Sequence, residues 1–548
     1  MTRLIPGLTR SNLVRESTAG VTLLAIAIPL NIGYAQIAGL PPTAGLYALV
    51  LPSIIYVFTV SSRQVVASPD AAAAALVASS IGGLAVAGSD DYTSLALAQA
   101  IISGVMFLLL AVFKLGFLAN FLSKPILVGF VAGLALDIMV SQIAKMLGVK
   151  IDSGAEFVEK VIQLAEGLNS VHGWSVLISL ASVGVLLLGK RFARAVPWAL
   201  VVLIGSTIVV VVANLADQGV AVLGEVEAGP PSLTWPSLTV QQWLSLVASA
   251  MALTMVTTAE GLLVARSYAE KRGYPLKPNR DLMALGLGNV AAGVSGGFAV
   301  GASTSRTAAM DQAGSRTQFP AIVTAVGTLL LLIFGTAILA DIPSPAIGAI
   351  VAVAIVSLLG VADFRMLWRV DRFEFLVGAA CFLATLLIGA IAGILVAFVL
   401  ALVNLAGRAS RPAIDVLETD GNPKDSLLDD APRGSSTAPG IVVIRLAAPL
   451  FFANGPVFAD AVKRAAESEP TGQLRHVVID MEAVTDLDVT GAESFESLIE
   501  WLKDRDIELS YSRTRDDARE RLDLFGLSEG AQFFDTNREA LAALAPKD

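Results

Sequence analysis

Between Thr18 and Leu405 the chain is a succession of apolar runs of about twenty residues, parted by short loops. A run of that length matches one helix across the hydrocarbon of a bilayer, where every backbone polar group must find its partner inside the protein. Composition agrees, because only 16% of the 548 residues are charged and the mean hydropathy is +0.71, whereas a soluble protein carries about a quarter charged residues. The expected fold is an all-α polytopic membrane protein of about fourteen transmembrane elements. Residues 1–17 are expected to be a cytoplasmic N-terminal segment and 18–407 the membrane-embedded transport domain. A Pro/Gly/Asp/Ser-rich linker over 408–440 and a soluble domain over 441–548 complete the expected organisation. Met1 to Arg15 is polar and no cleavage site follows it, so the first span is expected to be retained.

Several function classes are disfavoured at once. The formal charge of −9 leaves no electrostatic footprint for nucleic acid. One cysteine, Cys381, and two histidines, His172 and His476, give no basis for a disulfide or a metal centre. There is no ATP-binding loop and no nucleophile–base arrangement, so neither an enzyme nor a bound cofactor is expected.

Lys and Arg set the orientation. With the N-terminus inside, the inner loops carry Arg63, then Lys114 and Lys124, then Lys190, Arg191 and Arg194. The series continues with Arg266, Lys271, Arg272, Lys277 and Arg280, and ends with Arg365, Arg369 and Arg372. The intervening outer loops carry Asp90, Asp91, Asp217, Glu225 and Glu227, while the loop from Lys145 to Gly167 mixes both signs. Both termini are therefore expected in the cytoplasm.

Two segments break the helical pattern in matching places, each the third of seven elements in its half. Gln64 to Pro69 reads as extended before a helix over Asp70–Ser80, and Phe298 to Ala302 reads the same way before a helix over Ser303–Ala313. Short, Gly/Pro-interrupted segments at corresponding positions point to inverted repeats with a binding site at the midplane. Paired helix N-termini there offer free backbone N–H groups and positive dipole ends to an anion. Ser68, Asp70 and Ala71 at the first break, with Gly301, Ser303, Thr304, Ser305 and Arg306 at the second, are the candidate substrate-binding residues. Arg306 offers forked donors to an oxyanion, or else a structural pairing with an acid or a carbonyl. Asp70 caps its helix or faces the site, and its charge opposes an anion unless it is protonated or turned away. Asn31 and Tyr34, following Pro29 in the first span, are candidates to line the same cavity.

Glu260 lies about six residues from the inner end of its span, by the extent of the apolar run. An ionisable group at membrane depth costs ~2.5–3.5 kcal/mol, so it is expected to serve function as the proton-coupling residue. A structural pairing with Arg306 or Arg266 is the competing use. Asp137 is a second intramembrane acid whose use the residues leave open between an ion pair, a cavity wall and proton transfer.

The stretches Ile28 to Ala35, Ala38 to Tyr47, Ser61 to Arg63, Lys124-Pro125 with Gly129-Phe130, Ala284 to Asn289, Gly301 to Ala308 and Ala313 to Gln318 resemble the SulP (sulfate permease) family. The resemblance runs in order through most of the membrane region. It implies a uracil-permease-like fold of two inverted seven-element repeats, a core and a gate domain, and a homodimer. It further implies an elevator-type movement, with the anion held between the third and tenth elements. Ser305-Arg306-Thr307 matches the family's start of the tenth element, and Glu260 its acid in the eighth. Val264, one turn later, stands where a sodium-coupled relative has Thr. Leu30 departs from the family pattern, in which Gln often follows the proline of the first span.

In the tail, Ile441–Leu446, His476–Asp480 and Ile507–Tyr511 read as strands, each followed by an amphipathic helix: Gly455–Glu467, Thr490–Lys503 and Asp516–Phe525. This α/β pattern, with Ile479 to Met481 and the turn Asp486 to Gly491, resembles the STAS domain. Val489 stands where the anti-sigma antagonists carry a phosphorylated Ser, and Thr490 is expected as an N-cap.

The leading expectation is a secondary active transporter of inorganic anions in a bacterial inner membrane, with sulfate first and proton symport or exchange as the drive. A bicarbonate or C4-dicarboxylate carrier is the alternative within transport. A passive anion channel or a STAS-coupled sensor is the alternative outside it.

Overall fold

The computed structural model describes residues 5–116, 124–152, 155–193, 196–418, 436–468 and 473–545. Arg194 and most of the expected linker lie outside the described residues. The chain divides into two compact units, Met1–Ala401 and Leu402–Asp548.

The first unit is helical. Among the described residues, six helices are long and apolar enough to cross a membrane alone, including Leu13–Ile37, Asp90–Val112 and Lys124–Leu147. Shorter apolar helices, among them Ala71–Ile81, Trp198–Val212 and Phe319–Phe334, supply further elements. Between Lys124–Leu147 and Gly173–Phe192 the chain folds back through the short helix Phe157–Glu166, with a bend of 115°.

Helix packing separates two groups within this unit. Asp90–Val112 lies along Pro278–Val294 and Val247–Arg272, and Pro278–Val294 also packs on Leu51–Thr59. A Cβ on Gly104 would fall 2.7 Å from the Gly286 carbonyl oxygen, so only glycine permits this crossing. In the second group Lys124–Leu147 packs against Arg372–Leu387 and Ser344–Ile355. The seam between the groups is thinner, and runs where Leu13–Ile37 and Ala71–Ile81 meet Ser344–Ile355 and Lys124–Leu147.

Strands β1 (Val66–Ser68) and β2 (Gly301–Ser303) pair antiparallel, Ala67 opposite Ala302 and Ser68 opposite Gly301. Each leads directly into a helix, Ala71–Ile81 and Thr304–Gln312. Two half-helices entered from opposed, paired strands are the two-fold arrangement expected of inverted repeats. The Ala71–Ala75 run has the best helix-former at every position and small side chains, so the helix packs with all five residues buried.

The second unit is a five-stranded sheet in the order β3 (Ile414–Val416), β4 (Ile441–Leu446), β5 (His476–Asp480), β6 (Glu508–Ser512) and β7 (Gln532–Phe534). β3 is antiparallel to β4 and all other pairs are parallel. β3 falls in the stretch expected to be linker, where a three-residue edge strand carries too little pattern to stand out. Helix Val489–Lys503 is capped by Asp488, whose carboxylate accepts from Gly491 N at 2.7 Å; Thr490, expected as the cap, is inside the first turn. The correction has a local cause, because Asp488 is the last residue with extended backbone and its side chain reaches the free amide first.

Asp480 is fully buried at the end of β5 and accepts from Arg445 Nε at 2.9 Å, Asn537 Nδ2 at 2.9 Å and Arg513 Nη1 at 3.4 Å. Three elements thus converge on one carboxylate. Asp480→Ala removes the buried acceptor that Arg445, Arg513 and Asn537 share, a loss of about 3 kcal/mol. For a domain of ~100 residues that lowers the unfolding midpoint by on the order of 10 °C. The measurement is the temperature at which the tail of the full-length protein becomes protease-sensitive, compared with wild type.

Candidate functional site

The two half-helix N-termini are built by their own capping residues. Asp70 has extended backbone (φ −129°, ψ 175°) and its Oδ1 accepts from Ala73 N at 2.8 Å. Ser303 takes the same part in the other repeat, its Oγ accepting from Arg306 N at 3.4 Å. The cap on Asp70 was one of the two uses its position allowed. It leaves Oδ2 beside Gly301, where an added Cβ would sit 2.3 Å from that oxygen. Glycine at 301 is therefore what lets the carboxylate lie against β2.

Arg306 is the largest fully buried side chain, 1% exposed. Its Nη2 donates to the Pro69 carbonyl, which ends the first broken segment, and its Nε donates to Ser303 Oγ at 3.0 Å. The guanidinium also lies over the Tyr34 ring, 5.5 Å from its centroid, a cation–π distance. One arm, Nη1, is buried with no hydrogen-bond partner, and the hydroxyl of Ser68 on β1 is in the same condition. Arg306 therefore has the structural use open to it: it pins the two broken segments together, and its Nη1 is left over. A buried charged donor without an acceptor is expensive, so Nη1 stands out among the groups at this break.

The first helix contributes from the side. Asn31, one turn before Tyr34, donates from Nδ2 to Ala27 O at 2.8 Å, while its Oδ1 has no partner. Leu30, where the family more often has glutamine, is buried among apolar neighbours. Ala71 is buried in the first turn after Asp70, whereas Thr304 and Ser305 are exposed at the start of the second half-helix. Ser305 Oγ stands 3.5 Å from Ser303 Oγ.

Glu260 is not near the end of its helix. Val247–Arg272 continues through Arg266 and Lys271, so Glu260 stands about midway along it, because charged residues extend the helix beyond the apolar run. Among the described residues no hydrogen bond or ion pair joins Glu260 to Arg306. Its carboxyl interacts electrostatically with Asp70, which in turn interacts with Arg306. One helical turn before it, the methyl group of Thr257 lies 3.3 Å from a Cβ placed on Gly301, so this face of the eighth element borders the second break.

Asp137 has a definite place elsewhere. Both its oxygens accept from Lys160 Nζ, at 2.8 and 3.0 Å, and Lys160 is itself buried. The ion pair was one of three uses left open for it, and it also accounts for a basic residue in the loop of mixed sign.

Other residues of the site were not singled out from the sequence. Thr307 Oγ accepts from Val66 N at 3.1 Å and donates to Ser303 O at 2.6 Å, so it ties β1 to the second half-helix. Asn289 closes on Val300 with both amide groups, at 2.9 and 3.0 Å, and holds the strand entrance. Both sit in stretches that carry the family resemblance, which was their only signal. Glu16 is fully buried and accepts from Ser315 Oγ, Arg316 N and Thr317 Oγ, fixing the chain beyond the second half-helix to the first helix. Asp311 anchors the far end of that half-helix to Lys271 at 2.9 Å and to Arg272 Nε at 2.8 Å.

The profile of the sulfate permease family matches residues 13–381, and that of the STAS domain matches 435–540. Over 505 residues the chain is 33% identical to probable sulfate transporter Rv1739c of Mycobacterium tuberculosis, covering 92% of this chain and 90% of that protein. It is 27% identical over 555 residues to high affinity sulfate transporter 2 of Stylosanthes hamata, covering 96% and 83%. The fold matches murine Solute Carrier 26 family member A9, an anion transporter, with a TM-score of 0.89 at 21% identity, over 98% of this chain and 92% of that one. The transmembrane domain of the cyanobacterial bicarbonate transporter BicA aligns with a TM-score of 0.64 at 23% identity, over 71% and 99%. These likenesses confirm a uracil-permease-like membrane fold joined to a small α/β STAS domain. With its profile match across most of the membrane region and a relative 33% identical along nearly its whole length, the chain belongs to the sulfate permease family of membrane transporters.

Proposed function

We propose that the protein is a secondary active transporter of small inorganic anions, sulfate first, which binds its substrate between the two half-helix N-termini. The observation that carries this reading is the buried Arg306, whose Nη1 is unpartnered between Ser68, Tyr34 and the start of helix Thr304–Gln312. Two positive dipole ends and one guanidinium suit a compact oxyanion and disfavour a cation. The names of the two relatives reported above support sulfate over the alternatives. A bicarbonate or C4-dicarboxylate substrate is the second reading, supported by the likeness to BicA.

Asn31, Tyr34, Ser68, Asp70, Ala71, Gly301, Ser303, Thr304, Ser305 and Arg306 form the proposed substrate site, with Glu260 as the proton-coupling residue. Transport follows when the group carrying both half-helices slides along the thinner seam against the group built on Lys124–Leu147. The basic residues of alternate loops support cytoplasmic termini, and the family resemblance supports a homodimer. Labelled sulfate uptake into proteoliposomes, challenged with excess unlabelled sulfate, bicarbonate, fumarate or chloride, tests the substrate. Sulfate is expected to compete best; stronger competition by fumarate or bicarbonate would replace sulfate in this reading.

A further inference from the structure

The seam between the two helix groups is closed at one end by polar groups that the anion site does not use. Lys145, in the last turn of Lys124–Leu147, donates from Nζ to Gln36 Oε1 at 3.0 Å, and Gln36 ends the helix Leu13–Ile37 that carries Tyr34. Gln142, one turn before Lys145, is fully buried, and neither the nitrogen nor the oxygen of its side-chain amide has a partner. These residues, with Ala75, Ala78 and Lys160, line a cavity of about 20 Å³. That is room for one water molecule and far too little for an oxyanion. A second cavity, of about 180 Å³, adjoins it and shares Ala75, Ala78, Asp137 and Lys160.

Ala75 and Ala78 belong to the same half-helix whose first turn is capped by Asp70. At 1.5 Å per residue, Ala78 is roughly 12 Å from Asp70 along the axis. The closed end of the seam therefore lies directly behind the anion site, on the wall that would move.

We propose that Lys145 gates this end of the transport path. Held by Gln36, it bridges the two helix groups and shuts the passage. When Leu13–Ile37 and Ala71–Ile81 slide away, its ammonium leaves Gln36 and, with the Gln142 amide, receives the anion before Arg306 does. Lys160 does not serve in its place, because Asp137 already occupies it through both oxygens. An orphan amide beside a lysine held by one neutral acceptor is costly in this closed form. It becomes useful in a form where an anion can sit against both groups. The inference rests on the sliding movement proposed above.

Two variants of the full-length protein in proteoliposomes separate the gate from the movement. Lys145→Met is expected to raise KM for labelled sulfate offered at the face that Lys145 borders by roughly tenfold, the loss of one charge-assisted hydrogen bond. KM at the opposite face is expected to stay unchanged. Equal changes at both faces, or none, would overturn the gating role of Lys145. The movement itself is tested across the seam at Gly33, where an added Cβ would lie 3.9 Å from Val351 Cβ, a spacing that suits a disulfide. With Cys381 replaced by Ser, oxidised Gly33→Cys/Val351→Cys protein is expected to lose uptake and to regain it on reduction. Full uptake by the oxidised protein would sink the sliding movement, and the gate with it, whatever Lys145→Met shows.

Discussion

Replacing Arg306 with alanine is expected to weaken anion binding by roughly 10- to 150-fold, the equivalent of ~1.5–3 kcal/mol for a hydrogen bond from a charged donor. The substitution removes the free Nη1 arm and the one fixed positive charge that faces Asp70 and Tyr34. It also releases the Pro69 carbonyl, so some of the effect passes through the geometry of the first break. Arg306→Lys separates the two contributions. Lysine restores charge, but its three donors diverge from one nitrogen and cannot reach Pro69, Ser303 and substrate from separate atoms as the guanidinium fork does. Binding by the lysine variant should therefore recover only in part. The measurement is sulfate binding to purified protein by calorimetry, with the melting temperature of each variant as the control for folding. Wild-type affinity in a folded Arg306→Ala protein would remove Arg306 from the site.

The two broken segments were legible in the sequence because proline and glycine disturb a helix locally, and the residues that restart each helix follow within a few positions. Pro69 and Gly301 advertise themselves without any knowledge of the fold. What joins them was not legible. The bond from Arg306 to Pro69 spans 237 residues, and no local pattern specifies which of a carbonyl, an acid or a substrate a buried arginine will find. Asp137 illustrates the same limit at shorter range. Its partner Lys160 reads as part of a mixed loop, and only the packing of the short helix Phe157–Glu166 on Lys124–Leu147 brings the two together. In the tail, the buried apolar runs of β4 and β5 announced themselves, while β3 and β7, three residues each, did not. The place of Glu260 along its helix differs from its place along the apolar run for another reason. Hydropathy finds the apolar part of a helix, and Val247–Arg272 runs on through basic residues that hydropathy discards.

Replacing Glu260 with glutamine is expected to leave the protein folded and to abolish the dependence of uptake on a proton gradient. Among the described residues Glu260 has no hydrogen-bond or ion-pair partner, so glutamine breaks no contact that holds the fold together. Ionised, its carboxylate adds to that of Asp70 on the border of a site that must accept an anion. Anion binding is then favoured when a proton sits on Glu260, and linkage requires the converse: a bound anion raises proton affinity by the same factor. For a coupling of ~1–3 kcal/mol that factor is about 5–150. The sign is fixed by charge, since glutamine imitates the protonated, binding-competent form at every pH. Wild-type uptake should fall as pH on the loading side rises, while Glu260→Gln uptake stays flat and no longer accumulates anion against its gradient when the interior is alkaline. Glu260→Asp keeps a proton carrier at the same position and should retain gradient-driven accumulation at a reduced rate. The assay is labelled sulfate uptake with and without an imposed pH step, with downhill exchange as the control for an intact path. Undiminished accumulation by Glu260→Gln under the pH step would take proton coupling away from Glu260. The unpaired carboxylate beside Asp70 would then require some other use.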